Sequence, residues 1–118
     1  LKTYAGSNFN PQHLTISLQR VLLLKEYGPN LPRPYADVLH GSRKLKNLKE
    51  LRSQTQKHLL RVSYYFDTER NAFLLTGGDK KGKNQDKFYK DLIAESEVIV
   101  EKHEMELENE RRNQNDGK

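Results

Sequence analysis

Three stretches in the middle of the chain, joined by turns of four residues, constrain its fold more than any other feature. "NLKELRS" (47–53), "HLLRVSYYF" (58–66) and "NAFLLTG" (71–77) read as β-strands, and "QTQK" and "DTER" between them are polar and short. Linkers of that length cannot carry a crossover, so the strands form an antiparallel meander. The second strand is the clearest: Leu60, Val62, Tyr64 and Phe66 point one way and Leu59, Arg61, Ser63 and Tyr65 the other. In the first strand Leu51 faces the core, which turns Glu50 and Arg52 to the opposite side. Arg52 and Arg61 are thereby predicted to share one open, less apolar face.

Helical periodicity brackets the meander. Asn10 before Pro11 is an N-cap followed by a proline at the first helical position, and Gly28 with Pro29 ends that helix near Tyr27. Leu14, Leu18, Val21, Leu22 and Lys25 share its predicted inward face, with Leu24 close by. "GPNLPRP" is a rigid extended connector, and a short strand is expected around Ala36 to Leu39. After a glycine-lysine loop, "DKFYKDLIAESEVIVEKHEMELENERR" reads as a second helix with Phe88, Leu92, Val98 or Ile99, and Met105 inward. The order helix, antiparallel strands, helix is α+β. The 118 residues suffice for one core, assigned to 1–110, while 111–118, closing on "NQNDGK", has no apolar content and is expected to be a disordered tail.

Composition narrows the chemistry. The chain has no cysteine, which removes thiolate metal sites and disulfides and fits a reducing cytoplasm; its four histidines are scattered, without zinc spacing. The longest apolar run, Val21 to Leu24, is far too short for a membrane span, and nothing at the start resembles a signal peptide. The net charge of +5 is uneven: residues 92–118 carry four Lys or Arg against eight Asp or Glu, leaving 17 against 8 on residues 1–91. A positive surface beside an acidic helix suits a polyanionic partner on one side.

The stretch "GGDKKGKN" tests a nucleotide-binding alternative. Gly77, Gly82 and Lys83 fit a P-loop, but Asn84 stands where that motif needs a Ser or Thr hydroxyl for Mg²⁺. The motif also belongs to a parallel sheet, whereas here no strand follows the helix that the loop opens. The basic residues instead suggest a surface for single-stranded RNA. Arg52, Arg61, Lys80, Lys81, Lys83, Lys87 and Lys90 supply phosphate-binding charge, and Tyr65 and Tyr89 supply rings for stacking. A solvated charged face is the plainer reading of the same residues.

The motifs in sequence decide between them. "EYGPNLPRPYADVLHGSRKLKNLKELR", "HLLRVSYYFDTERNAFLLTGGDKKGK" and "KFYKDLIAESEVIVEKHEMEL" resemble, in register over about residues 18–110, the HigB-like branch of the RelE/ParE toxin superfamily. The resemblance implies a RelE-like fold and a cytoplasmic, bacterial or phage-derived toxin of a type II toxin-antitoxin pair. It implies an mRNA endoribonuclease that acts on messages in the ribosome and needs neither metal nor organic cofactor. The ribose 2′-hydroxyl would attack the adjacent phosphate, leaving a 2′,3′-cyclic phosphate and a 5′-hydroxyl. The implied partners are mRNA, the ribosome and a helix-turn-helix, HigA-like antitoxin through which alone DNA would be met. A ParE-like toxin that binds DNA gyrase, or a non-catalytic binding module, is the alternative on the same fold.

By the same resemblance, Arg61 stabilises transition-state charge, Arg52 holds a phosphate, Lys80 and Lys83 neutralise phosphate or transfer protons, and Tyr89 stacks or transfers a proton. Lys81, Lys87, Lys90 and Arg43 extend the RNA surface. Glu50 either takes the 2′-hydroxyl proton or, more in keeping with its neighbours, orients the arginines. Plainer roles stand beside these: Arg52 paired with Glu50, Tyr89 in the core, Lys87 as surface charge. His103 reads as helix surface or packing, and His13, His40 and His58 have no supporting constellation. Members of the branch usually open with a β-strand and a further helix, whereas only "LKTYAGSNF" precedes the first helix here, so that strand is expected to be missing or unseen.

Overall fold

The computed structural model describes residues 2–3 and 11–116, with side chains over 17–115. Its elements in chain order are β1 (Lys2–Thr3), α1 (Pro11–Tyr27), a 3-10 turn (Gly28–Asn30), β2 (Ala36–Val38), β3 (Lys49–Gln54), β4 (Leu59–Phe66), β5 (Ala72–Asp79) and α2 (Gln85–Asp116). The strands form one sheet in the order β1-β5-β4-β3-β2. Strands β2 to β5 are antiparallel, as their short connections require, and β1 adds to β5 in parallel with Lys2 opposite Phe73 and Thr3 opposite Leu74. The opening strand, expected to be missing or unseen, is present at the sheet edge, described at Lys2 and Thr3. Asn10 lies outside the described residues. Among those described, no helix is long and apolar enough to cross a membrane.

The two-residue side-chain repeat of the sheet gives it two buried faces, each covered by one helix. Leu51, Val62, Tyr64 and Leu74 pack with Leu24 of α1, and Tyr65, Phe73 and Leu75 pack with Leu92, Ile93, Ile99 and Val100 of α2. The alternation read in β4 holds, but the face shared by Arg52 and Arg61 is not open: α2 lies across it. Arg61 is buried at 2% exposure, so the expectation that it lies on an open face is corrected.

A register shift between Val62 and Tyr64 re-aims the end of β5. Val62 pairs with Gly77 and Tyr64 with Leu74, so β5 holds one extra residue opposite Ser63. Beyond this bulge the parity of β5 is reversed. Gly78, opposite Arg61, faces α2, as its close approach to Phe88 confirms. Asp79, opposite Leu60, turns away to His58, and Lys80 returns to the α2 face beside Tyr89.

Both helices differ in detail from the sequence reading. In α1 Ser17 and Leu24 are buried and Val21 is half-buried beside them, while Leu18 and Leu22 are exposed. The helix is turned so that Arg20 donates Nε to the Arg52 carbonyl at 3.0 Å and lies 4.8 Å over the Tyr35 ring. In α2, Leu92, Ser96, Ile99, His103 and Leu107 recur at three- and four-residue steps toward the sheet. Met105 is out of phase with them and 61% exposed, and of the pair Val98 or Ile99 it is Ile99 that is buried. The helix also continues over 111–116, where a disordered tail was expected. Glu108 pairs with Arg111 and Arg112, and Arg111 reaches Thr68 Oγ1 at 3.0 Å, so polar contacts extend a helix that has no apolar side chains left to bury.

Candidate active site

Five of the residues named from sequence meet at one end of the sheet, under the first turns of α2. Glu50 of β3 and Arg61 of β4 form the floor, Arg52 stands beside them, Lys80 arrives from the end of β5, and Tyr89 closes from α2. The Tyr89 hydroxyl donates to Glu50 Oε1 at 3.1 Å, accepts Arg61 Nε at 3.3 Å and lies 3.5 Å from Lys80 Nζ. Arg61 and Arg52 each hold Nε near the same carboxylate oxygen, at 3.6 and 3.7 Å. The Lys80 ammonium also sits over the Tyr89 ring, 5.3 Å from its centroid.

Burial separates the five into two layers. Glu50 and Arg61 are enclosed, and Arg61 uses Nη1 on the carbonyl of Leu60 at 2.8 Å. Arg52 keeps 33% of its side-chain exposure, and Lys80 and Tyr89 are half-buried. The outer three border a cleft of about 430 Å³ that Glu50 also lines and that reaches Arg33, His40 and Gln85. Arg61 touches Tyr89 and Glu50 without lining the cleft, whereas Arg52, Lys80 and Tyr89 face it.

The cluster shifts the acidity of its members. Glu50 is pushed above the usual carboxylate range by loss of hydration, against the opposing pull of Arg61, the Tyr89 hydroxyl, Arg52 and Lys80. Its Oε2 is buried without a hydrogen-bond partner. The Lys80 ammonium is weakened, first by desolvation and then by the charges of Arg61 and Arg52. Tyr89 is raised by desolvation and by Glu50, with Arg61 opposing, so it stays protonated at neutral pH and offers a proton rather than taking one. The amine of Lys80 and the phenol of Tyr89, 3.5 Å apart, can pass a proton between them once either has given up its own.

The other candidates fall elsewhere. Lys83 and Lys87 border a separate cavity beyond Phe88, and Lys87 pairs with Asp91 at 2.9 Å. Lys81 donates to the Gln56 carbonyl. Arg43 and Lys90 line a further cleft of about 580 Å³ against the other flank of Tyr89. Tyr65 does not belong to any RNA surface: its ring is in the core and its hydroxyl donates to Glu104 Oε1 at 2.7 Å, which with burial holds it far above the ordinary phenol value. His103 is packing rather than surface, stacked on Phe73 and 3.0 Å from Asp67. Sequence reading passed over Arg33, His40 and Gln85; the connector arginine and the first residue of α2 were available as signals, but neither lies on a patterned face. Among the described residues, no three or more His, Asp or Glu side chains are placed to hold a metal ion.

Residues 7–101 match the model of the family described as "Phage derived protein Gp49-like". The chain belongs to the Gp49-like family. Over 80 residues it is 36% identical to a Mycobacterium tuberculosis protein named "Putative toxin HigB2", covering 67% of this chain and 39% of that protein. Over 60 residues it is 43% identical to "Putative toxin HigB3" of the same organism, covering 51% of this chain and 50% of that one. The Gp49-like chain thus aligns with two fifths to one half of the length of these curated relatives. The matches bear out the HigB-like resemblance read from its motifs. No solved structure gives a significant match.

Proposed function

We propose that this Gp49-like protein is the toxin of a type II toxin-antitoxin pair and inhibits translation as a metal-independent endoribonuclease acting on mRNA in the ribosome. The observation that carries this reading is the convergence of Arg52, Lys80 and Tyr89 on one cleft over a buried Glu50–Arg61 pair. The similarity to HigB toxins supports the biological setting, with a helix-turn-helix antitoxin as the cellular inhibitor.

The chemistry follows from the two layers. Lys80, its ammonium weakened by desolvation and then by its cationic neighbours, takes the 2′-hydroxyl proton through its neutral form as the 2′-oxygen bonds to phosphorus. Arg52 and the cations around it stabilise the doubly negative phosphorane. Tyr89 gives its proton to the departing 5′-oxygen as the phosphorus–oxygen bond breaks, and recovers one from Lys80. The net result is a 2′,3′-cyclic phosphate, a 5′-hydroxyl and an unchanged protein. Glu50 and Arg61 fix the phenol between them so that its proton is available at the right place.

Inducing the protein in cells and mapping the 5′ ends of mRNA tests the reading. In-frame cuts that vanish with Tyr89→Phe are expected. Intact mRNA with DNA-damage signalling would overturn the nuclease in favour of a gyrase inhibitor, and intact mRNA without such signalling would leave a binding module.

A further inference from the structure

The cavity beyond Phe88 has a composition that the cleavage chemistry does not use. It measures about 460 Å³ and shares no lining residue with the candidate cleft; Phe88 and Tyr89, with ring centroids 5.4 Å apart, divide the two. We propose that it is a nucleotide subsite for the RNA residue next to the cleaved phosphate, in which a base with an exocyclic amino group (adenine, cytosine or guanine, rather than uracil) stacks on Phe88. This deepens the nuclease reading and rests on it for the identity of the polymer.

The floor is Gly77 and Gly78. A Cβ at Gly78 would come within 3.2 Å of the Phe88 ring, so glycine there lets the aromatic lie against the strand. Among the described residues β1 covers β5 only at Phe73 and Leu74, which leaves the glycine edge of the sheet without a strand beside it. Gly77 is exposed, a flat backbone surface suited to a planar ring.

The walls carry both signs of charge. Lys83 Nζ stands 6.0 Å from the Phe88 centroid, the long limit of a cation–π contact, so a base can replace it against the ring while the ammonium moves to a phosphate. Lys87, ion-paired with Asp91 at 2.9 Å, places a second ammonium at the rim. Asp91 and Glu95 follow Phe88 on the same helix face, at three and seven residues. Their carboxylates accept hydrogen bonds from amino groups and repel the carbonyl oxygens of uracil. Glu95 is already held in place by the Thr76 hydroxyl at 2.9 Å. The glycine-lysine run that mimics a P-loop in sequence thus serves as the floor and rim of a base pocket.

The test is equilibrium binding of uncleavable 2′-O-methyl trinucleotides to the full chain, followed by fluorescence anisotropy, with free mononucleotides as the comparison. Wild type is expected to bind amino-bearing sequences more tightly than oligouridine, and trinucleotides more tightly than AMP or CMP. Phe88→Ala should weaken trinucleotide binding about tenfold, as loss of one stacked base implies. Glu95→Gln should erase the base preference, and exposed Lys83→Ala should weaken binding and lower its salt dependence even if Phe88→Ala does not fold. Absence of saturable binding, indifference to all three substitutions, or a mononucleotide bound as tightly as a trinucleotide would overturn the subsite. Binding that depends on Phe88 while ribosomal mRNA stays intact would uphold the subsite and remove the nuclease. Cleavage by wild type with Phe88-independent binding would do the reverse.

Discussion

Two carboxylates are buried on the same face of the sheet under the same helix, and they are treated in opposite ways. At one end Asp67 accepts the backbone N–H groups of Glu69 and Asn71, at 3.0 and 2.9 Å, and lies 3.0 Å from His103 Nε2. Those hydrogen bonds and the imidazole, against its own desolvation, hold it below the usual carboxylate range. At the other end Glu50 has two guanidiniums at ion-pair distance but one oxygen with no hydrogen-bond partner, and desolvation holds it above that range. The first is a latch: with Tyr65 and Thr68 bonded to Glu104, it ties the β4–β5 turn to α2. The second is a charge cluster kept incompletely satisfied beside a cleft, the condition associated with function rather than stability.

The comparison can be broken by substitutions that separate activity from stability. The largest expected effect is on the reaction: Tyr89→Phe and Lys80→Met should each lower cleavage by about 10² to 10⁴ fold, the range for loss of a proton-transfer group. Lys80→Met should leave the thermal transition close to wild type, whereas Tyr89→Phe, which removes the hydroxyl bonded to buried Glu50, should cost about 1–3 kcal/mol. Next is Arg61→Ala, expected to destabilise by about 3–5 kcal/mol in chemical denaturation because it strands a buried carboxylate; a transition within about 0.5 kcal/mol of wild type would contradict the buried pair. Smaller again is Asp67→Asn, expected to cost about 1–3 kcal/mol through weakened turn and His103 hydrogen bonds, with cleavage retained at temperatures where the variant is folded.

The subtlest effect is on pH dependence, and the two carboxylates should give opposite signs. A depressed folded pKa means that Asp67 stabilises above its ordinary value of about 4, and that this stability is lost as pH falls through the folded value. A raised folded pKa means that the Glu50 contribution is fully present below its ordinary value and lost as pH rises through the folded one. Wild type should therefore gain stability relative to Glu50→Gln as pH is lowered toward about 4, and lose it relative to Asp67→Asn below that. Parallel pH profiles for the two differences would remove the contrast.

Whereas Lys80 and Tyr89 were added to the cluster by the family resemblance, the antiparallel order of β3, β4 and β5, the faces of β3 and β4, and with them the nearness of Glu50, Arg52 and Arg61, were legible in the sequence, because a two-residue repeat and short turns leave few registers open. The bulge in β5 was not: Thr76-Gly77-Gly78 hints at irregularity, but the parity reversal that brings Lys80 inward depends on pairing with Ser63. Nor was the burial of Arg61, since a polar face of a strand does not say whether water or a helix lies over it. The face of α1 was misread because Leu18 and Leu22 outweigh Ser17 and Arg20 in apolar pattern, whereas the contacts of Arg20 set the helix rotation. Tyr65 was misplaced for a related reason: alternation put it on the right face, but not at the end of that face where the core closes.

The end chemistry of RNA cut on programmed ribosomes tests the central claim most directly. Wild type should release fragments with a 2′,3′-cyclic phosphate and a 5′-hydroxyl in the presence of a chelator, and Tyr89→Phe and Lys80→Met should not. Fragments with 5′-phosphate ends, or cleavage undiminished by both substitutions, would contradict it.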